Sequence, residues 1–139
     1  MMTDTREYAV HHLIMRYLEA VLIWPTTAYT TNNNPRSAVA GARQKALGTR
    51  KGLPDIQILR TCGRSAWIEV KALKGRLSPE QRAFQEWCRE AGHPHCVARS
   101  IDDVRNFLQA EHIPNRDTET VGEAAARLLA GMDRKRSAA

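Results

Sequence analysis

The chain has 139 residues, 42% of them hydrophobic and 6% aromatic, which suits one domain with its own core and excludes a disordered chain. No apolar run reaches the roughly 18 residues that a membrane helix needs, and the opening Met-Met-Thr-Asp-Thr-Arg-Glu lacks the basic-then-apolar order of a secretory leader, so a cytoplasmic protein with no membrane partner is expected. The net charge is +6 but unevenly spread: between Arg36 and Arg76 basic residues far outnumber the two acids, Asp55 and Glu69, a pattern that suits a phosphate backbone as partner.

Thr5 to about Ile23 is predicted as an amphipathic helix, because Val10, Leu13, Ile14, Tyr17, Leu18, Val21 and Leu22 recur at spacings that share one face. Thr3, Asp4 or Thr5 can cap its start, and Pro25 stops it. His11 and His12 are expected to flank the apolar stripe. The stretch 26–36, with Asn32-Asn33-Asn34-Pro35, reads as a loop or an irregular edge strand. Ser37 to Leu47 reads as a short basic helix, and Gly48 and Gly52 bracket a basic turn.

Asp55 to Arg60 is predicted as a short strand and residues 61–65 as a hairpin turn. Ala66 to Leu73 is the clearest strand. Its alternation puts Ala66, Ile68, Val70 and Ala72 on one face and Trp67, Glu69, Lys71 and Leu73 on the other. Ser78-Pro79-Glu80-Gln81 opens a helix, with Ser78 as cap, Pro79 at the first helical position and Gln81 closing a capping box. Phe84, Trp87, Cys88 and Ala91 form its apolar face, with Trp87 expected in the core, and Gly92 ends it. His95 to Arg99 is a further strand. Ser100 caps a helix carrying Ile101, Val104, Phe107 and Leu108 that Pro114 ends. Glu119 to Met132 is Ala- and Leu-rich and helical, followed by an Arg134-Lys135-Arg136 tail expected to fray.

The order helix, strand, strand, helix, strand, helix predicts an α/β sheet with helices on its faces. Cys62, Cys88 and Cys96 have no CxxC spacing and read as buried or half-buried free thiols. His93, His95 and Cys96 read as turn and strand surface and not as a metal site. Trp24, Tyr29, Trp67 and Trp87 could stack on bases, but Trp87 is expected in the core and Trp67 fits either place.

Chemistry concentrates where the two lone acids sit. Glu69 and Lys71 share a strand face, and Asp55 starts the strand that pairs with theirs across a tight turn. Two adjacent carboxylates raise each other's pKa unless a cation lies between them. Hard oxygen ligands with room for water suit Mg²⁺, and an ammonium beside the pair can orient water or steady charge on a phosphate. A lone Glu-x-Lys is more often a solvated face or a cross-strand ion pair.

The combination of Gly52-Leu53-Pro54-Asp55, Ile68-Glu69-Val70-Lys71, Leu77-Ser78-Pro79-Glu80-Gln81 with Phe84, Gly92, and Arg99-Ser100-Ile101-Asp102-Asp103-Val104 resembles the PD-(D/E)xK nuclease superfamily. Within it, the sequence is most similar to the VRR-NUC family, over roughly residues 5–110. The resemblance implies a restriction-endonuclease-like core, a small mixed sheet flanked by helices, with a C-terminal helix added. It divides the chain into a nuclease domain, 1–114, and a helical extension, 115–139, suited to oligomerisation. It implies that Asp55 and Glu69 bind metal with the Val70 carbonyl as a further ligand, that Lys71 is the catalytic lysine, and that Gln81 stands beside the site. Glu7 resembles the acid that related nucleases bring from the first helix; Glu19, deeper and beside the stripe, competes for that role, and a first-turn acid is also favoured by the helix dipole.

The expected activity is Mg²⁺-dependent cleavage of DNA, with Mn²⁺ substituting, on branched junctions or flaps, in a bacterial or phage-infected cell. Arg43, Lys45, Arg50, Lys51, Lys74 and Arg76 are the expected DNA contacts. Alternatives are a duplex-nicking or restriction-like enzyme and a DNA-binding module without turnover. Cutting two strands needs two sites, which predicts a homodimer, with Val121, Ala125, Leu128, Leu129 and Met132 as a candidate interface.

Overall fold

The computed structural model describes residues 5–31 and 37–138. Thr3, Asp4, Arg36 and the Asn32-Asn33-Asn34-Pro35 stretch lie outside the described residues. The elements are α1 (Thr5–Val21), β1 (Thr27–Thr30), α2 (Ala38–Ala46), β2 (Ile56–Leu59), β3 (Ser65–Val70), α3 (Pro79–Ala91), β4 (His95–Ala98), α4 (Ile101–Ala110) and α5 (Val121–Ser137). The fold is mixed α/β, as its sequence pattern predicts.

The four strands form one sheet in the order β1-β2-β3-β4. β1, β2 and β3 are antiparallel neighbours, and β4 runs parallel to β3. A parallel neighbour needs a crossover, which α3 provides. Period-two alternation then sorts the faces. Ile56, Ile58, Ala66, Ile68 and Val70 turn to a core completed by Ile14 and Leu18 of α1 and by Val104, Phe107 and Leu108 of α4. Each such Val, Leu, Ile or Phe side chain contributes about 1.5–3 kcal/mol on burial. Trp67 and Glu69 point to the opposite face, beneath α3, where Trp67 meets Phe84 edge-on at 5.3 Å and Glu69 meets Gln81.

Helix ends follow from local chemistry. Ser78 Oγ accepts from Gln81 N at 3.1 Å and Gln81 Oε1 accepts from Ser78 N at 2.8 Å, a complete capping box ahead of Pro79. Gly92, at φ 77°, takes the left-handed turn that ends α3. Ser37 and Ser100 cap α2 and α4 in the same way as Ser78 caps α3, by accepting from the backbone three residues on.

Several expectations need correction. Of the two readings of the polar stretch after Pro25, the edge strand is the one that forms: Thr27–Thr30 is β1, with a complete register from Thr30↔Ile56 through Thr27↔Leu59. α1 ends at Val21, and Leu13 is exposed because its helix position lies at the edge of the stripe. β3 ends at Val70, although Lys71 N still donates to Ala98 O at 3.0 Å. α4 stops at Ala110, four residues before Pro114, and the chain leaves through His112 at φ 51°. Trp87 is 50% exposed and not core, since Cys88 is the residue that α3 buries. Glu19 is exposed, not deep, while Glu7 is half-buried. Cys62 is exposed at the hairpin tip. The Arg134-Lys135-Arg136 tail is helical, its charges lying on the last turn, where the helix dipole favours cations.

α5 begins with a second capping box, Thr120 with Glu123, and buries none of its residues. The segment before it is tied to the body. Asn115 is buried and bridges to Leu22, and Arg116 N donates to Val21 O at 2.8 Å. Among the described residues no helix is long and apolar enough to cross a membrane.

Candidate active site

The β2–β3 register fixes the site. Ile56 stands opposite Ile68, so one further step places Asp55 opposite Glu69 at the mouth of the pair. Directly opposed side chains in such a ladder lie within contact reach. Asp55 is held there by backbone. Its Oδ2 accepts from Val70 N at 2.8 Å, and its carbonyl accepts from Thr31 N at 2.8 Å. Pro54 is fully buried and its carbonyl accepts from the Thr31 hydroxyl. Gly52 makes this approach possible. At φ +88°, a Cβ there would lie 2.6 Å from the Glu80 carbonyl carbon and oxygen, so only glycine lets the 50s loop pass beneath the start of α3.

Glu69 is 1% exposed. Its Oε1 accepts from Gln81 Nε2 at 2.8 Å and lies 3.5 Å from Lys71 Nζ. Its Oε2 is buried with no hydrogen-bond partner among the described residues. Burial pushes the carboxyl up first, the Asp55 charge adds to that, and Lys71 only partly offsets them, so its pKa is raised to about 8. An unpartnered buried polar atom costs about 1–3 kcal/mol; the site therefore stores an unmet demand for positive charge or a donor at that oxygen.

Gln81 fills two roles with one side chain. Its carbonyl oxygen caps α3 through Ser78 N, and its amide nitrogen reaches Glu69. The helix start and the carboxylate are thus locked to each other. Lys71 is buried to 8% exposure although it lies just past β3.

A hollow of about 420 Å³ opens on the α1 side of Asp55, lined by Glu7, His11, Glu19 and Thr30 among others. Glu7 and His11 are four apart and share a helix face. His11 Nε2 lies 3.0 Å from Thr30 Oγ1, and burial lowers its pKa while the nearby Asp55 charge works the other way. Asp55, Glu69, Lys71, Val70 and Gln81 are brought together, and Glu7 borders the Asp55 end. Among the described residues no three His, Cys, Asp or Glu side chains converge on a single point. A cation here would draw on the Asp55 and Glu69 oxygens and on backbone or water oxygens.

The basic residues are spread more widely. Arg43 and Lys45 are exposed near the end of α2, Arg50 is exposed in the turn that follows, and Lys74 and Arg76 are exposed on the loop between β3 and α3. Lys51 is also exposed but pairs with Glu80 at 3.3 Å. Two neighbours of the site were not singled out by its sequence pattern. His11 was hidden by its place beside an apolar stripe, although its spacing from Glu7 was a usable signal. Arg99 had none. Its Nη1 donates to the carbonyls of Ala72 at 2.6 Å and Gly75 at 2.7 Å, and so it pins the loop that leaves the site.

A model of the VRR-NUC domain matches residues 6–102. A solved structure of a VRR_NUC domain protein superposes with a TM-score of 0.62 at 20% identity, over 84% of this chain and 97% of that one. At that identity the likeness speaks to the fold. No curated protein matches the chain.

Proposed function

The chain belongs to the VRR-NUC domain family, a nuclease-family domain, and from that premise we propose that it is a metal-dependent endonuclease that hydrolyses DNA phosphodiester bonds, with branched junctions or flaps as preferred substrates. The observation that carries this reading is the state of Glu69: a buried carboxylate opposite Asp55, with one oxygen held by Gln81 and Lys71 and the other without a hydrogen-bond partner among the described residues. Both acids offer oxygen donors, and the unpartnered Oε2 together with the raised pKa fits a hard divalent cation such as Mg²⁺, or Mn²⁺ in its place. Asp55, Glu69 and the Val70 carbonyl would hold it, with water completing its shell. When bound, the ion supplies Lewis-acid activation of the phosphodiester and of the attacking water.

The protein's own groups do the rest. Lys71, fixed beside Glu69, directs its ammonium at the incoming water or at the phosphate oxygens that gain charge. Gln81 keeps the Glu69 carboxylate from rotating. Hydrolysis forms a bond from water oxygen to phosphorus and breaks a phosphorus–oxygen bond to the sugar; the attacking water gives its proton to solvent and the leaving sugar oxygen takes one from solvent. Glu7, beside Asp55, borders the same chemistry. Arg43, Lys45, Arg50, Lys74 and Arg76 would follow the phosphate backbone outward, and Lys51 would do so once released from Glu80.

Cleavage of end-labelled four-way junction, flap and plain duplex DNA in Mg²⁺ or Mn²⁺ tests the proposal. Faster cutting of the branched substrates is expected. Equal cutting of plain plasmid would point to a duplex-nicking enzyme, and salt-dependent binding with no cutting under either metal would overturn the enzymatic reading.

A further inference from the structure

Beyond the acidic pair, a line of aromatic rings extends away from the site. Trp67 lies two residues before Glu69 on the same face of β3, and Phe84 lies three after Gln81 on the same face of α3. Trp67 packs edge-on against Phe84 at 5.3 Å, Phe84 tilts against Trp87 at 5.5 Å, and Trp87 tilts against His93 at 5.1 Å. The row runs from half-buried Trp67 and Phe84, adjoining the catalytic carboxylate, to Trp87, which is 50% exposed. The helix rise from Gln81 to Trp87 spans about 9 Å.

The surroundings of Trp87 explain why it is not buried. Cys88 takes the inward position on α3, and Trp87 is turned to the rim, half exposed and in ring contact with Phe84 and His93. A large ring held by two neighbours loses little freedom on binding a flat partner. On the nuclease reading the row adjoins a site that acts on nucleic acid, and the flat partner that suits it is a base of the substrate. A base pair inside a duplex has both faces covered by its neighbours, whereas an unpaired base can stack on an aromatic ring.

We infer that Trp87, backed by Phe84 and His93, is a stacking platform for an unpaired nucleobase of the strand whose phosphodiester lies at Asp55 and Glu69. The inference rests on the nuclease reading and adds a substrate feature to it: a single-stranded stretch beside the cut, as a flap or an open branch provides.

The test measures binding of a fluorescent oligothymidylate and of a relaxed closed-circular duplex, which has no terminal pair to stack on, in EDTA, so that nothing is cut. Trp87→Ala is expected to weaken oligothymidylate binding on the order of tenfold and to leave duplex binding unchanged, while Trp87→Phe keeps most of the affinity. Circular dichroism and parental duplex binding verify that the variant is folded. Parental affinity of folded Trp87→Ala for oligothymidylate overturns the inference and leaves the nuclease reading intact. Loss of self-association in that variant with unchanged DNA binding reassigns the row to a protein contact and also overturns it. A parent chain that cleaves no DNA in Mg²⁺ or Mn²⁺ overturns the nuclease reading, and the inference falls with it.

Discussion

At Glu69, burial and the Asp55 charge both favour the protonated carboxyl, and together they outweigh Lys71 at 3.5 Å. The consequence for stability has a definite sign. The folded-state value of about 8 lies above the ordinary 4.5, so the folded protein holds this proton more tightly than the unfolded chain does. The associated stability is complete below about pH 4.5 and is lost as pH rises through about 8. In EDTA, the urea midpoint should therefore fall as pH rises across that window, and Glu69→Gln should flatten the fall. A slope untouched by the substitution would remove Glu69 as its source. A divalent ion opposes the same loss, because it replaces the proton as the partner of the carboxylate.

At the level of elements, the site is a meeting of three local devices: the end of the β2–β3 ladder, the capping box of α3, and the glycine turn that slides beneath it. The last is the most sensitive to a single methyl group. Gly52→Ala would force a Cβ to within 2.6 Å of the Glu80 backbone and hold a non-glycine residue at φ +88°. A loss of more than about 1 kcal/mol is expected, read as a lowered denaturation midpoint; a midpoint equal to the parent's would show that the loop can move aside. These devices differ in how far the sequence discloses them. The strand alternation that turns Glu69 and Lys71 to one face is legible because period two is a property of the backbone. The Ser78–Gln81 cap is legible because it is local. β1 was only half legible, since four residues of Thr-Ala-Tyr-Thr carry little pattern and depend on β2 for their register. Trp87 was misplaced for a related reason. Helical spacing names a face but not which residue on that face meets the sheet, and Cys88 took the inward place. The double duty of Gln81 lay between these cases, visible as two separate motifs that the geometry joins in one amide.

For the whole molecule, the feature that stands apart is α5, with Leu128 60%, Leu129 62% and Met132 58% exposed. We propose that this face pairs with a second copy, which would supply the second active site needed to cut both strands of a junction. Leu128→Glu with Leu129→Glu should halve the mass seen by light scattering and leave the fold intact; a mass unchanged from the parent would remove α5 as the interface. These changes are preferable to a cut at residue 115, because Asn115 is buried within the body. The proposed chemistry depends on the acid pair and its lysine. Its most direct test is the cleavage rate of a labelled branched DNA by the parent and by Lys71→Ala, each with Mg²⁺ and with EDTA. The predicted result is cutting by the parent that EDTA abolishes, and a loss of at least about a hundredfold in Lys71→Ala; cutting that persists in EDTA, or a Lys71→Ala rate equal to the parent's, would contradict it.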